Sequence, residues 1–153
     1  MSDSPERLSR RLLDEGQKTL SFFNNLSEKD WHLVVYDQGS SWTVQQVLAH
    51  FVSAEDGFLT LIIDVLRGGS GVAEDFDIDT YNRETIARMQ NVPVITLSDQ
   101  FWRLRQKNAE IVSKMTSDDL DRRGRHPFLG DASLRDMIKL IYRHIQIHLR
   151  DVR

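Results

Sequence analysis

Apolar residues recur along most of this chain at intervals of three, four and seven, the signature of one-sided helices rather than strands. Leu8, Leu12, Leu13, Leu20, Phe23 and Leu26 mark a first helix that begins after Ser4, carries Pro5 at its first position and ends near residue 25. Proline suits that position because the N–H it lacks would have no partner there. A polar connection containing Trp31 and a turn over residues 37–41, DQGSS, follows. The second helix opens at Thr43, where T-V-Q-Q reads as a capping box with Gln46 at the third helical position. Its stripe is Val44, Val47, Leu48, Phe51, Phe58, Ile62 and Val65, and it stops at Leu66 before Gly68-Gly69.

Residues 68–80, GGSGVAEDFDIDT, read as a crossover loop with an acidic rim. A third helix is expected from Tyr81 to Met89, with a break near Pro93. Helical periodicity resumes after Thr96 or Ser98, through Phe101, Leu104, Ile111, Val112 and Met115. RRGRHPFLGDA, 122–132, reads as a loop, and Ser133 caps a last helix running to the chain end. Its stripe is Leu134, Met137, Ile138, Ile141, Ile145, Leu149 and Val152. With no internal repeat, the expectation is one all-α domain over 1–153: a four-helix bundle with a long crossover between the second and third main helices.

Composition narrows the function classes. A chain of 153 residues with net charge −3 has no basic stripe or arm, so nucleic acid is not the expected partner. No apolar run reads as a membrane span, and MSDSPERLSRRLL has no signal-peptide core, which makes the cytoplasm the default compartment. Cysteine is absent, so any thiol chemistry needs a thiol carried by a small molecule.

The candidate chemistry lies in five histidines. Stepping about 100° per residue, His144 lies about 80° and His148 about 40° from the centre of the last helix's stripe. Both face inward along one edge, with Arg135, Lys139, Arg143 and Arg150 on the opposite side. His50 stands about 90° from the centre of its own stripe. Its line along the helix includes Thr43, Gln46, Ser53, Ala54 and Gly57, small or polar residues that leave room for a cavity. Three neutral imidazoles with an open position can hold a catalytic zinc or similar divalent ion. His32 and His126 lie in connecting segments and read as exposed. Glu55 falls about 140° around the helix from His50, outside reach of a ligand role.

Other signals fail on inspection. H-I-Q-I-H puts Ile145 where a zinc protease needs its glutamate. Asp75, Asp77 and Asp79 imitate the start of a calcium loop, but Thr80 replaces its glycine and Ile86 its bidentate glutamate. Gly68, Gly69 and Gly71 have no following lysine and make no phosphate loop.

S-W-T-V-Q-Q-V-L-A-H-F-V-S-A-E, 41–55, resembles the second-helix signature of the DinB-like, or YfiT-like, superfamily: Trp, Ser or Thr, and a histidine seven residues later. The capped last helix with H-x-x-x-H resembles that family's final helix. D-F-D-I-D-T-Y-N-R-E-T-I-A-R is similar to the matching segment of the mycothiol-dependent maleylpyruvate isomerase branch. The resemblance implies an up-down-down-up bundle, often a homodimer, with a divalent metal, zinc or nickel, held at His50, His144 and His148. It also implies a small-molecule substrate, a low-molecular-weight thiol as cosubstrate, and Asn82 as a residue lining the site. The reading that follows is a metal-dependent transferase, isomerase or hydrolase. Its rival is a non-catalytic dimeric bundle for binding or sequestration; Leu140 and Ile147, outside the main stripe of the last helix, suit a second seam for a partner subunit under either reading.

Overall fold

Ser4 accepts a hydrogen bond from the Arg7 N–H and Pro5 follows it, so the first helix, α1 (Pro5–Asn24), starts where its sequence signals stand. The computed structural model describes residues 3–37 and 40–152. After a single 3-10 turn at Asp30–His32, β1 (Val34–Asp37) pairs antiparallel with β2 (Ser40–Thr43), and β2 runs directly into α2 (Val44–Leu66). The tip of the expected DQGSS turn, 38–39, lies outside the described residues. α3 (Ile78–Arg88), α4 (Val94–Ser113) and the one-turn α5 (Ser117–Leu120) follow. A second antiparallel hairpin, β3 (Arg123–His126) with β4 (Gly130–Ser133), then leads into α6 (Leu134–Val152).

The four long helices are the main layers: α4 packs on both α1 and α2, and α6 packs on the same two. The stripes read from the sequence face an interior of two apolar clusters. One cluster joins Leu8, Leu12, Ile62, Val112, Met137 and Ile141; the other joins Phe23, Phe51, Leu97, Phe101, Ile145 and Leu149 around the end where the histidines lie. Between them sits a buried ion pair. Arg105 is fully buried and donates through Nε to Glu55 Oε1 at 2.6 Å and through Nη2 to Oε2 at 3.2 Å. Its Nη1 donates to the Leu12 carbonyl at 2.9 Å.

The expectation of a purely helical chain needs correction at two places, since both connections contain strands. V-V-Y-D, S-S-W-T, R-G-R-H and G-D-A-S are four residues each, too short to display a period-two pattern. Their support comes from elsewhere. The Arg125 N–H donates to the Ser70 carbonyl at 2.8 Å and the Val72 N–H to the Arg125 carbonyl at 2.9 Å, so the crossover is stitched to β3.

Two helix starts also move. Asp77, read as part of an acidic rim, is the N-cap of α3 and accepts from the Asp79 N–H, so this helix begins three residues before Tyr81. Pro93, read as a break, is the N-cap of α4: its extended backbone is followed at once by helix, ahead of Thr96. Finally, α2 is long and apolar enough to cross a membrane by length and composition. The statement that no such run exists is therefore corrected. The helix is apolar because it is central, packing on α3, α4, α6 and residues of both hairpins.

Candidate metal centre

The two histidine-bearing helices are launched in the same way. Thr43 Oγ1 accepts from the Gln46 N–H at 3.1 Å while Gln46 Oε1 accepts from the Thr43 N–H at 2.8 Å, closing the capping box at the start of α2. At the start of α6, Ser133 Oγ accepts from the Asp136 N–H at 3.1 Å. Each hairpin thereby fixes where its helix begins, and with it the rotation of the histidines two to four turns on.

His50, His144 and His148 converge. His144 Nε2 lies 3.3 Å from His50 Nε2 and 3.0 Å from His148 Nε2. One ligating atom from each ring falls within 4.8 Å of the other two. The ring planes stand at 70°, 78° and 85° to one another, so the rings present edges, not faces, to a common point. Imidazole nitrogens bound at about 2.0–2.1 Å are separated by roughly 2.9–3.4 Å for bond angles between a right angle and the tetrahedral value. The two short separations observed fall in that interval.

Burial, then the neighbouring imidazoles, holds His50 well below its ordinary pKa. The same causes, burial first and then His148 and His126, push His144 down to about 3. Both rings are therefore neutral at physiological pH, the form that donates a lone pair to a metal. His50 Nδ1 and His144 Nδ1 are buried with no acceptor among the described residues. The outer carboxylates or carbonyls that usually receive the second ring N–H of a metal-bound histidine are thus missing for these two.

Two cavities meet at the triad. One, of about 450 Å³, runs from His50 and His144 between Ala54, Gly57, Phe58, Leu61, Val72 and Phe76. The other, of about 640 Å³, opens on the opposite side past Trp42, Gln46, Asp79, Arg83 and Gln90, and touches all three histidines. His50, His144, Asn82 and Phe128 line both. Asn82, expected to line the site, stands in the shared wall. Ala54 and Gly57 leave space as their small size suggested, whereas Ser53 does not: it is buried and donates to Thr85 Oγ1 of α3 at 2.9 Å.

The family model of the DinB superfamily matches residues 11–152. The chain belongs to this superfamily. No curated protein matches it. Among solved structures, the mycothiol-dependent maleylpyruvate isomerase superimposes with a TM-score of 0.70 at 16% identity, over 97% of this chain and 59% of that protein. The chain therefore spans about three-fifths of the isomerase's length. The colibactin self-resistance protein ClbS, solved in complex with double-stranded DNA, matches with a TM-score of 0.69 at 12% identity, over 98% of this chain and 95% of that one. At such identities the likeness speaks for the fold alone. A DNA complex among these DinB-fold relatives also means that the fold gives no support to the expectation of no nucleic-acid partner.

One residue was misjudged from sequence. His32 is exposed as expected, but His126 is buried, because R-G-R-H is a strand turned inward instead of a loop. Trp42 sits beside the triad, its ring 5.0 Å from that of His50.

Proposed function

We propose that this protein is a divalent-metal enzyme that joins or rearranges two small reactants, with His50, His144 and His148 holding a zinc or nickel ion. One observation carries the reading: a mainly apolar cavity and a second one of mixed polar and apolar lining both reach His50 and His144. A single-substrate pocket does not require a second, polar approach containing Asp79, Arg83 and Gln46. A hydrophilic low-molecular-weight thiol suits that side, and an apolar electrophile suits the side walled by Phe58, Leu61 and Phe76.

When bound, a divalent ion supplies Lewis-acid chemistry that lowers the pKa of a thiol or water and polarises a carbonyl. The chain's own contribution is positional. Asn82, in the wall between the two cavities, can donate and accept hydrogen bonds toward reactants on either side. Phe128 narrows the passage between them, its ring 6.4 Å from that of His144. The likeness to an isomerase that depends on a thiol supports this choice of chemistry, with the substrate left as a separate question. In the same proposal the long helices run up-down-down-up, and a homodimer forms along the side of α6 where Ile147 is exposed.

A second reading, a non-catalytic binding bundle, draws on the two Nδ1 atoms without acceptors, which leave the triad without the support a permanent metal site usually has. Metal analysis separates the two. Protein purified without a histidine tag is expected to carry close to one zinc or nickel per chain, and His148→Ala to carry none while staying folded. A folded wild-type protein that holds no ion and takes up neither added zinc nor added nickel would overturn the enzyme reading.

A further inference from the structure

His126 is 2% exposed, yet it is not a metal ligand and packs as a fixed part of the second hairpin. Its Nδ1 accepts from the Phe128 N–H at 3.0 Å and the Leu129 N–H at 3.3 Å. Its ring stacks on Phe58, with centroids 5.8 Å apart and planes 29° apart. A ring nitrogen that accepts carries no proton, so in the neutral imidazole the proton is on Nε2. Burial pushes the His126 pKa down to about 4, so the neutral form prevails near pH 7.

Nε2–H is then a buried donor, and it has no partner among the described residues. Such groups are rare because leaving one unpaired is costly, and they ask for an explanation. His126 belongs to the wall of the apolar cavity and lies near enough to His144 to affect its ionisation. His126 is among the residues that line the apolar cavity, and with Nδ1 turned to its own hairpin and one face covered by Phe58, Nε2–H is its one polar group not already used.

The rest of that wall says which ligand. It contains no lysine or arginine, and its one carboxylate, Asp64, already accepts from the Gly71 N–H at 3.0 Å. Away from the triad end of the cavity, a carboxylate or phosphate would lose water without gaining a counter-charge from the chain. A neutral donor among Phe58, Leu61, Val72 and Phe76 matches a neutral acceptor on an apolar body.

We infer that His126 Nε2–H is a specificity-determining hydrogen-bond donor, and that the apolar cavity takes an uncharged, largely hydrocarbon ligand whose carbonyl oxygen it grips. The inference rests on the two-cavity reading for the cavity's role, but it does not need the metal to be present.

The test uses acetophenone and its near-isostere α-methylstyrene, which replaces C=O with C=CH2, titrated into the whole chain and followed by NMR of Leu61 and Val72 methyls. His126→Asn keeps an acceptor for the Phe128 and Leu129 N–H groups and removes the Nε2–H. Because each probe's own desolvation cancels in the comparison, the ratio of the two dissociation constants isolates the hydrogen bond. That ratio is expected to shift against acetophenone by roughly threefold to tenfold in His126→Asn, with bound zinc unchanged from wild type. Two unchanged ratios, or no binding of either probe in the cavity, overturn the inference. A shifted ratio in protein that binds no metal supports it while the metalloenzyme reading fails. Should His126→Asn not fold, the ring itself decides: nitrogen-15 spectra of wild type are expected to show the Nε2–H tautomer moving on addition of acetophenone. A proton found on Nδ1 overturns the inference.

Discussion

Glu55 shows how a charged residue can be written into the most apolar helix of the chain. It is 1% exposed, and its partner Arg105 is held by three hydrogen bonds to Glu55 and the Leu12 carbonyl. Removing one partner strands the other charge in the core, whereas removing both leaves an apolar gap that packing can partly fill. Glu55→Leu and Arg105→Met are each expected to cost about 3–5 kcal/mol in urea unfolding. The pair Glu55→Leu with Arg105→Met is expected to cost clearly less than the two single changes added together. Strict additivity would show that the two side chains are not coupled. The helical angle of Glu55 turned it away from His50, and its carboxylate is taken by Arg105, but nothing in the sequence names that partner, fifty residues away. The same limit hid the burial of His126. An angle tells which way a side chain points, and only the neighbour across the interface tells what it meets.

The helices were legible because each advertises itself twice, through a stripe and through a cap: Ser4 with Pro5, Thr43 with Gln46, Ser133 before α6. Where one signal stood alone the start was misread: Asp77 caps a helix with little apolar stripe, and α4 has its stripe but begins at Pro93 without a side-chain cap. The hairpins carry neither signal, and their stability is borrowed. β3 is held by the crossover at Gly71, which has φ of +94° and whose absent Cβ would run into the backbone of Arg125. Gly71→Ala therefore combines an unfavourable backbone conformation with a contact that neither segment can relieve by moving a side chain alone. A loss of roughly 1–3 kcal/mol is expected. Hydrogen exchange should localise it: amides of 70–72 and 123–133 lose protection while those of α1 and α4 keep theirs. Uniform loss across the chain would show that the hairpin is part of the cooperative core. Since His126 and Phe128 ride on this hairpin, the variant should also loosen the wall of both cavities.

Three histidines buried in neutral form make the stability of the fold depend on acid in a particular window. His50 is held well below its ordinary value of 6.5, His144 is pushed down to about 3 and His126 to about 4, in each case chiefly by burial. Above pH 6.5 the imidazoles are neutral in both the folded and the unfolded chain, so they add no pH dependence. As pH falls through 6.5 the unfolded chain takes up protons that the folded chain refuses, and stability must decline. The decline continues until the folded chain accepts those protons as well, near pH 4 for His126 and lower for His144. Carboxylates act later. Asp119, held below its ordinary 3.8 by the Thr116 N–H and Arg122, begins to matter only under about pH 4. Urea midpoints of metal-free protein should therefore be level from pH 8 to 7 and fall steadily between pH 6.5 and 4.5. A midpoint that stays level down to pH 4.5 would mean that the rings are solvated in the folded state. Zinc separates the triad from His126 in the same experiment. An ion that binds only the folded chain raises the midpoint through its affinity for the triad. The gain at pH 7 should vanish in His148→Ala and persist in His126→Asn, since only the first of these removes a member of the proposed ligand set.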